Sequence, residues 1–176
     1  AVIGAGELAA PRNAAVGPDG RLYVADSGNH RIAIFEDVAL VDSFGQFGRV
    51  SDGAGTGVFV DPWGLAVDEE FVYVADTWNH RVQKFTLDGE FVTAFGQEGV
   101  VDPSQAASGG GIFFGPRDIV LLNDGRLVVT DTGNHRLQVF TRDGEFISAH
   151  GGLGAIAGQF REPVGMESMP DGSLYV

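Results

Sequence analysis

Cysteine is absent from this chain of 176 residues. Its absence excludes disulfides, thiolate metal sites and a cysteine nucleophile, but it leaves the compartment open, an extracytoplasmic one included. Positive charge is also scarce, because Lys84 is the only lysine and the formal net charge is -13. Such a surface repels phosphate backbones at long range, so we expect neither nucleic acid nor anionic membranes as partners.

Long apolar runs are missing too. No run approaches the roughly 20 residues of a membrane-spanning helix, and residues 1–4 lack the basic flank and apolar core of a signal peptide. We therefore expect no membrane insertion within this chain. The composition, 44% hydrophobic with 27 glycines, suits one sizeable core and a fold with many turns.

What the sequence does contain is one stretch that occurs three times, at 22–35, 71–85 and 127–140. Each copy is an apolar run, a polar connection ending in Asn-His-Arg, and a second apolar run closed by Phe. This pattern is typical of a β-hairpin. Because an isolated hairpin is at best marginally stable, the copies must pack on further strands or on one another.

Further strands flank each hairpin. A short apolar run begins at Pro11, Pro62 and Pro116, an Asp-Gly or acidic turn leads into the hairpin, and a fourth apolar run follows it. Each repeat is therefore predicted to be four antiparallel strands. The first two strands are apolar on both faces, so both faces must be covered. We predict an all-β chain with four-stranded blades packed radially as a β-propeller, a β-sandwich being the alternative.

The repeats divide the chain into blades at approximately 11–45, 62–96 and 116–151, with a partial blade at 163–176 and residues 1–6 as the last strand of a preceding blade. A propeller closes with about 4 to 8 blades, so we expect one propeller region over 1–176 that is a fragment of a longer ring. Two alternatives are a small ring closed by an incomplete fourth blade and a dimer that completes one ring. The connections 46–61 and 97–115 are long, which is typical of functional or mobile loops.

The Pro, Asp-Gly, Tyr-Val-Ala-Asp and Asn-His-Arg elements together resemble the NHL repeat family, with Arg31, Arg81 and Arg136 where the family name has Leu. The resemblance covers nearly the whole chain. It implies a propeller, most often six-bladed, in which the loop joining strands two and three shares one face with the loop entering strand one. It does not imply one function, since similar repeats serve protein binding, RNA binding, sensing and, in peptidyl-alpha-hydroxyglycine alpha-amidating lyases, metal-dependent catalysis.

Polar residues recur at each hairpin connection, and their histidines suggest a metal. Equivalent positions on different blades are spread around a ring, however, whereas zinc ligands lie about 2 Å from one point. We predict instead that each Asp bonds the backbone amides of its turn and that Asn and His complete a local network, with no metal. The residues are Asp26, Asn29, His30, Asp76, Asn79, His80, Asp131, Asn134 and His135.

The residues that follow the first-strand prolines should ring the mouth of the central channel. Here they include Arg12, Trp63 and Arg117, and with Asn13 and Asp118 they could hold a carboxylate, a sugar or a peptide segment. The alternative is that each Arg pairs with a neighbouring Asp across the blades.

One residue of the middle hairpin departs from the repeat. Trp78 stands where the other copies have glycine, and an exposed tryptophan is a candidate for an interface. The alternative is that Trp78 packs beneath the connection 46–61.

We therefore expect a non-catalytic binding module without a cofactor, which recognises a protein or carbohydrate ligand on the face that carries the long connections. The competing hypothesis is part of a metal-dependent propeller lyase or hydrolase with its site at the central channel. That enzyme would need His, Asp or Glu pointing into the channel from several first strands, and the sequence offers chiefly Asp118 and Glu167.

Overall fold

The computed structural model describes Gly4 and residues 6–176. The predicted strand at residues 1–6 therefore falls mostly outside the described residues. No helix among the residues described is long and apolar enough to cross a membrane.

Three sheets of four strands follow one another along the chain. The first blade consists of β1 (Ala14–Val16), β2 (Leu22–Asp26), β3 (Arg31–Glu36) and β4 (Ala39–Phe44). The middle blade consists of β5 (Pro62–Val67), β6 (Phe71–Asp76), β7 (Arg81–Thr86) and β8 (Phe91–Phe95).

A short parallel pair, β9 (Gln97–Glu98) and β10 (Ile112–Phe113), lies in the connection to the third blade. The third blade consists of β11 (Pro116–Leu121), β12 (Leu127–Asp131), β13 (Arg136–Phe140) and β14 (Phe146–Gly151). A terminal hairpin follows, formed by β15 (Glu167–Ser168) and β16 (Leu174–Tyr175).

Within each blade the strands are hydrogen-bonded in chain order and every pairing is antiparallel. The predicted all-β fold with four-stranded antiparallel blades is therefore confirmed. The innermost strand of the middle blade, β5, contacts β1 on one side and β11 on the other. Over the described residues, the blades and the terminal hairpin form an incomplete ring.

The core lies between neighbouring blades. Residues of the first and middle blades share one buried cluster: Tyr23, Ala25, Ile32, Ile34, Phe59, Leu65, Val72, Val74 and Phe85. Residues of the middle and third blades share another: Ala66, Tyr73, Ala75, Val82, Phe113, Ile119, Leu127, Val129 and Phe140. This arrangement covers both faces of the middle blade, as its apolar strands require.

The long connections supply part of that core. Phe59 and Phe113 are fully buried, each at the end of its connection and each packed between two blades. A bridge pairs Phe59 with Phe47, and β9 with β10 joins the two ends of the second connection. The connections therefore brace neighbouring blades, because their apolar ends fill the wedge between the sheets.

Glycine is required where the inner strands approach most closely. A Cβ atom on Gly64 of β5 would lie 2.5 Å from both the carbonyl oxygen of Arg117 and the Cα of Asp118 on β11. Real Cβ atoms do not come so near to backbone atoms. The approach of β5 to β11 therefore depends on the missing side chain.

Candidate functional site

The start of each first strand and the preceding hairpin lie on the same face. The turn Ser27–Asn29 sits between β2 and β3, and the Ser27 hydroxyl donates a hydrogen bond to the carbonyl of Pro62. The Thr77 hydroxyl donates likewise to Pro116 at 2.8 Å, and that of Thr132 to Pro163 at 2.7 Å. We call this side, with the hairpin turns and the beginnings of β5 and β11, the mouth face.

Three side chains from neighbouring blades meet at the centre of the mouth face. The guanidinium carbon of Arg12 lies 4.2 Å from the centre of a Trp63 ring, and that of Arg117 lies 4.5 Å from it. Because β5 lies between β1 and β11, the two arginines reach the indole from the two adjoining blades. Both distances are within the range of an attractive cation–π contact.

Neither arginine has an acidic partner in the described part of the chain. The ion pairs found there, with nitrogen to oxygen distances up to 4.0 Å, involve other residues. The alternative prediction, in which Arg12 and Arg117 pair with aspartates across the blades, therefore fails for these residues. The Trp63 ring packs against the flat faces of both guanidinium groups, and their N–H groups have no carboxylate partner among the described residues.

Asn13 and Asp118 lie next to the arginines and bond to each other. The Asn13 amide donates to a carboxylate oxygen of Asp118 at 3.3 Å. Asp118 also accepts from the backbone N–H of Ile119 at 2.9 Å and of Met166 at 2.7 Å. Burial raises the pKa of Asp118, and Glu167 adds to the effect, whereas the two N–H groups oppose it. Asp118 therefore ties β11 to the terminal hairpin.

Trp78 extends the aromatic surface outward from the centre. Its side chain is 41% exposed and lies edge-on to His80, which is stacked on Phe114 with ring centres 5.6 Å apart. A hollow of about 130 Å³ beside it is lined by Trp78, Phe114, Gly115, Arg117, Thr132, Gly133 and Glu162. The Trp78 side chain is thus exposed beside Arg117, and both line one hollow.

On its other side Trp78 borders a larger and more polar groove of about 540 Å³. Arg49 and Val50 of the first connection form one wall, and Gln97 and Glu98 of the second form another. The Val50 N–H bonds to Asn79, which holds this connection against the middle hairpin. The two connections therefore flank Trp78 rather than cover it.

The hairpin aspartates act differently from the prediction. Each closes a contact to the connection before its blade: Asp26 accepts from Ala9 N–H, Asp76 from Val60 N–H and Asp131 from Phe114 N–H, at 2.7 to 2.8 Å. The predicted bonds to the amides of the turn itself are absent for these described residues. The reason is that each turn is a short 3₁₀ segment ending in a left-handed His, whose own N–H bonds back to the first turn residue.

Arginine and asparagine complete the same network. Asn79 donates to Asp76 and to the carbonyl of Gly48, and Asn134 donates to Asp131 and to the carbonyl of Gly99. Each Arg of the Asn-His-Arg motif donates its Nε to the Asp of its own hairpin at 2.8 Å. The network therefore locks each connection to a hairpin.

The hairpin histidines join each blade to the next. Nδ1 of His30, His80 and His135 accepts from the backbone N–H of Asp61, Gly115 and Glu162, each at 3.1 Å. An accepting Nδ1 implies a neutral ring with its proton on Nε2. Burial lowers the pKa of His80, against the opposing effect of Glu98 and Asp131. A metal bound at Nε2 would require the ring proton to move to Nδ1, which would break these bonds.

Two kinds of residue in this network were missed at the sequence level. Gln83 and Gln138 each donate to the hairpin Asp at 3.0 Å and also to a carbonyl of the connection. Their recurrence seven residues after the Asp was a readable signal. Phe114, by contrast, takes the place of Ala9 and Val60, where the other repeats have no aromatic residue, so nothing in the pattern marked its ring.

The described residues contain no cluster suited to a metal ion. Within Gly4 and residues 6–176, no group of three or more His, Cys, Asp or Glu side chains is arranged to hold a metal ion. Asp118, one of the two acidic residues that the sequence offered for the channel, has its oxygens occupied by Asn13 and by two backbone N–H groups.

Comparisons of sequence follow the same repeats. The sequence model of the NHL repeat family matches residues 8–35, 59–85 and 113–140. Protein brain tumor of Drosophila melanogaster is 33% identical over 110 residues, which are 61% of this chain and 10% of that protein. E3 ubiquitin-protein ligase NHLRC1 of Homo sapiens is 32% identical over 124 residues, 69% of this chain and 28% of that protein. The chain thus spans a small part of these relatives.

Comparisons of structure support the fold. A streptogramin B lyase structure superimposes with a TM-score of 0.65 at 18% identity, covering 93% of this chain and 46% of that one. Virginiamycin B lyase from Staphylococcus aureus, inactivated by H270A and bound to quinupristin, gives a TM-score of 0.63 at 15% identity, covering 93% and 47%. Both are β-propellers. At this identity the likeness concerns the fold alone.

Proposed function

Because this chain belongs to the NHL repeat family, we propose that it is a non-catalytic module that binds a protein partner through its mouth face. The contact surface consists of the six residues predicted from the sequence, namely Arg12, Asn13, Trp63, Trp78, Arg117 and Asp118. Arg12, Trp63, Trp78 and Arg117 make the contacts, and Asn13 and Asp118 hold the backbone beneath them.

The observation that carries this proposal is the stacking of Arg12 and Arg117 on Trp63 without acidic partners in the described residues. Tryptophan and arginine are the residues enriched at binding hot spots. Arg12 is exposed and Arg117 is half-buried, so the N–H groups of both are accessible to hydrogen-bond acceptors from outside. An incoming partner supplies those acceptors.

Rigid support is the second argument. The hairpin network ties each connection to its blade through the buried carboxylates of Asp76 and Asp131. A surface held this way loses little conformational entropy when a partner docks, so more of the contact energy appears as affinity. One relative is named an E3 ubiquitin-protein ligase, an activity directed at proteins.

The competing hypothesis of a metal-dependent lyase or hydrolase has less support. The two lyase structures that resemble this chain are only 15 to 18% identical to it in sequence, so the similarity concerns the fold alone. In each hairpin histidine, Nδ1 accepts a hydrogen bond from a backbone N–H group that precedes the next blade. Carbohydrate binding and a dimer that completes the ring remain predictions from the sequence alone.

Site-specific photo-cross-linking tests the proposal. We would replace Trp78 with p-benzoylphenylalanine, irradiate the protein in a soluble extract of its source organism, and identify adducts by mass spectrometry. The control carries the cross-linker at Arg126, which lies at the far end of β11 and β12 and pairs only with Asp124 among the described residues. We expect discrete protein adducts from position 78 and not from position 126.

Alanine variants connect the adduct to the proposed surface. Trp63→Ala and Arg117→Ala should reduce the adduct, whereas Arg142→Ala on the opposite face should leave it unchanged. Equal adducts from both faces, or adducts indifferent to Trp63 and Arg117, would contradict the proposal. So would a stoichiometric bound metal in the purified protein together with unchanged adducts.

A further inference from the structure

Two features outside the mouth face stand out among the described residues, a buried lysine and a pair of exposed phenylalanines. Lys84 is buried, but it pairs with Asp143 and lies over Phe71, so its role is to join two blades. Phe91 and Phe146 are exposed on outer strands, but nothing in the structure indicates what covers them. The centre of the mouth face indicates its ligand more specifically, because its charge, shape and apolar content restrict what can bind there.

From these properties we infer that the partner presents an acidic peptide segment, with carboxylates on Arg12 and Arg117 and an apolar side chain in the hollow beside Trp78. The inference rests on the proposed protein-binding function and names its chemistry.

Charge is the first step. The chain has a formal net charge of -13, yet its mouth carries two guanidiniums without a carboxylate within 4.0 Å in the part of the chain described. A planar guanidinium presents N–H donors in a fork that matches a carboxylate. The indole of Trp63 lies over one face of each group and leaves the edges to donate.

The hollow is the second step. Its volume of about 130 Å³ suits one apolar side chain, and Trp78 and Phe114 supply its aromatic walls. Arg117 lines the same hollow, so a carboxylate bound there lies next to an apolar group bound beside Trp78. Glu162 is the one acidic residue of the lining, and it limits how many carboxylates the hollow itself accepts.

The rest of the molecule decides between acidic ligands. Nucleic acid also carries anionic groups, but a long polyanion would approach a protein with 24 acidic and 11 basic residues. Repulsion of a phosphate backbone acts along its whole length, whereas a short segment meets only the local field of the two arginines. An acidic peptide therefore fits the charge distribution better than a nucleic acid.

Intrinsic fluorescence gives a direct test, because the only two tryptophans, Trp63 and Trp78, both belong to the proposed surface. The probe is acetyl-Glu-Glu-Leu-Glu-Glu-amide. One control peptide replaces each Glu with Gln, and a second replaces Leu with Ser. We expect a saturable change of tryptophan emission with the probe, and affinity lower by about tenfold or more for the Gln peptide, since each charge-assisted hydrogen bond lost is worth about one such factor.

Variants identify the groups responsible. Arg12→Gln and Arg117→Gln should each lower the affinity for the probe peptide by about tenfold. Arg117→Lys should lower this affinity by less because it keeps the charge. Arg126→Gln should leave it unchanged. Trp78→Phe should abolish the preference for the Leu peptide over the Ser peptide. Circular dichroism checks that each variant is folded.

Failure of this inference differs from failure of the proposed function. Equal affinity for the Glu and Gln peptides, or unchanged binding by both Arg→Gln variants, would overturn the acidic partner while the cross-linking result still stood. A fluorescence spectrum that no peptide alters would overturn it as well. Cross-linking from position 78 decides independently whether a protein binds the mouth face.

Discussion

At the scale of single residues, the most demanding position is Arg136. It is fully buried, donates to Asp131, and donates also to backbone carbonyls of the second connection, those of Ala106, Ser108, Gly109 and Ile112. One side chain therefore binds four backbone carbonyls of this Gly-rich connection. Arg81 does the same for the first connection through Gly55 and Val58.

Arg136→Met should destabilise the protein by about 3–5 kcal/mol, because Asp131 would keep a buried charge without its partner. The matched variant Arg31→Met should cost roughly half of that, since the Arg31 side chain is 24% exposed and water replaces part of its bonding. Urea unfolding followed by circular dichroism measures both. Equal losses for the two variants would show that burial of the pair does not determine its contribution.

His80 should make stability depend on pH. Burial lowers its pKa in the folded state below the unfolded value of about 6.5, although Glu98 and Asp131 act in the other direction. Between these two pKa values the unfolded chain binds more protons, so stability present above about pH 6.5 is lost as pH falls.

The comparison of His80→Gln with the parent protein tests this effect. The variant should be less sensitive to acidification between about pH 7.5 and 5.5, where an ordinary His titrates and an ordinary carboxylate does not. His150→Gln is the control, because His150 is exposed and bonds only Ser148 among the described residues. A parent protein whose melting temperature is flat over this interval would contradict the assignment.

At the scale of elements, the closeness of first strands depends on one glycine. Gly64→Ala places a Cβ 2.5 Å from backbone atoms of β11, so β5 must shift. We expect a loss of about 1–3 kcal/mol, typical of overpacking. Gly165 occupies the equivalent place in the last repeat and has nothing within 4 Å of its Cβ position, so Gly165→Ala should cost little. Thermal unfolding of both variants makes the comparison.

The elements also show where sequence reasoning succeeded. The Pro, Asp-Gly and Asn-His-Arg signals predicted four antiparallel strands per repeat, and the structure confirms this, because those signals depend on turn chemistry that is local to the chain. The connections were harder. Their Gly and Ser content indicated loops, but burial of Phe59 and Phe113 depends on two blades that lie far apart in sequence.

The candidate site was predictable in part. Counting residues from each proline identified Arg12, Trp63 and Arg117 as neighbours, and both arginines do contact Trp63. Whether the arginines would pair with aspartates or stack on Trp63 depended on distances between blades. That geometry follows from packing of the sheets, which no repeat pattern encodes. Their role in binding stays a prediction.

At the scale of the whole molecule, added salt should change the stability of the fold and the affinity for an acidic peptide in opposite directions. A formal charge of -13 repels itself in the compact state, and salt screens that repulsion. Raising sodium chloride from low salt to about 0.15 M should therefore increase the melting temperature. The same change should lower the affinity of the mouth face for the acidic probe peptide. Scanning calorimetry and the fluorescence titration measure the two effects. A melting temperature that falls with salt would indicate that ion pairs outweigh the net charge.

Taken as a sequence, this chain determined its strands, its turns and its membership of a repeat family, because hydrophobic period and turn residues act over a few positions. Only the tertiary structure decided that Asp26, Asp76 and Asp131 hold the connections rather than their own turns. It also decided that two arginines share one tryptophan at the mouth. The physical reason is that repeated segments become neighbours only after the blades pack, and the distances between blades are set by side chains of all of them together.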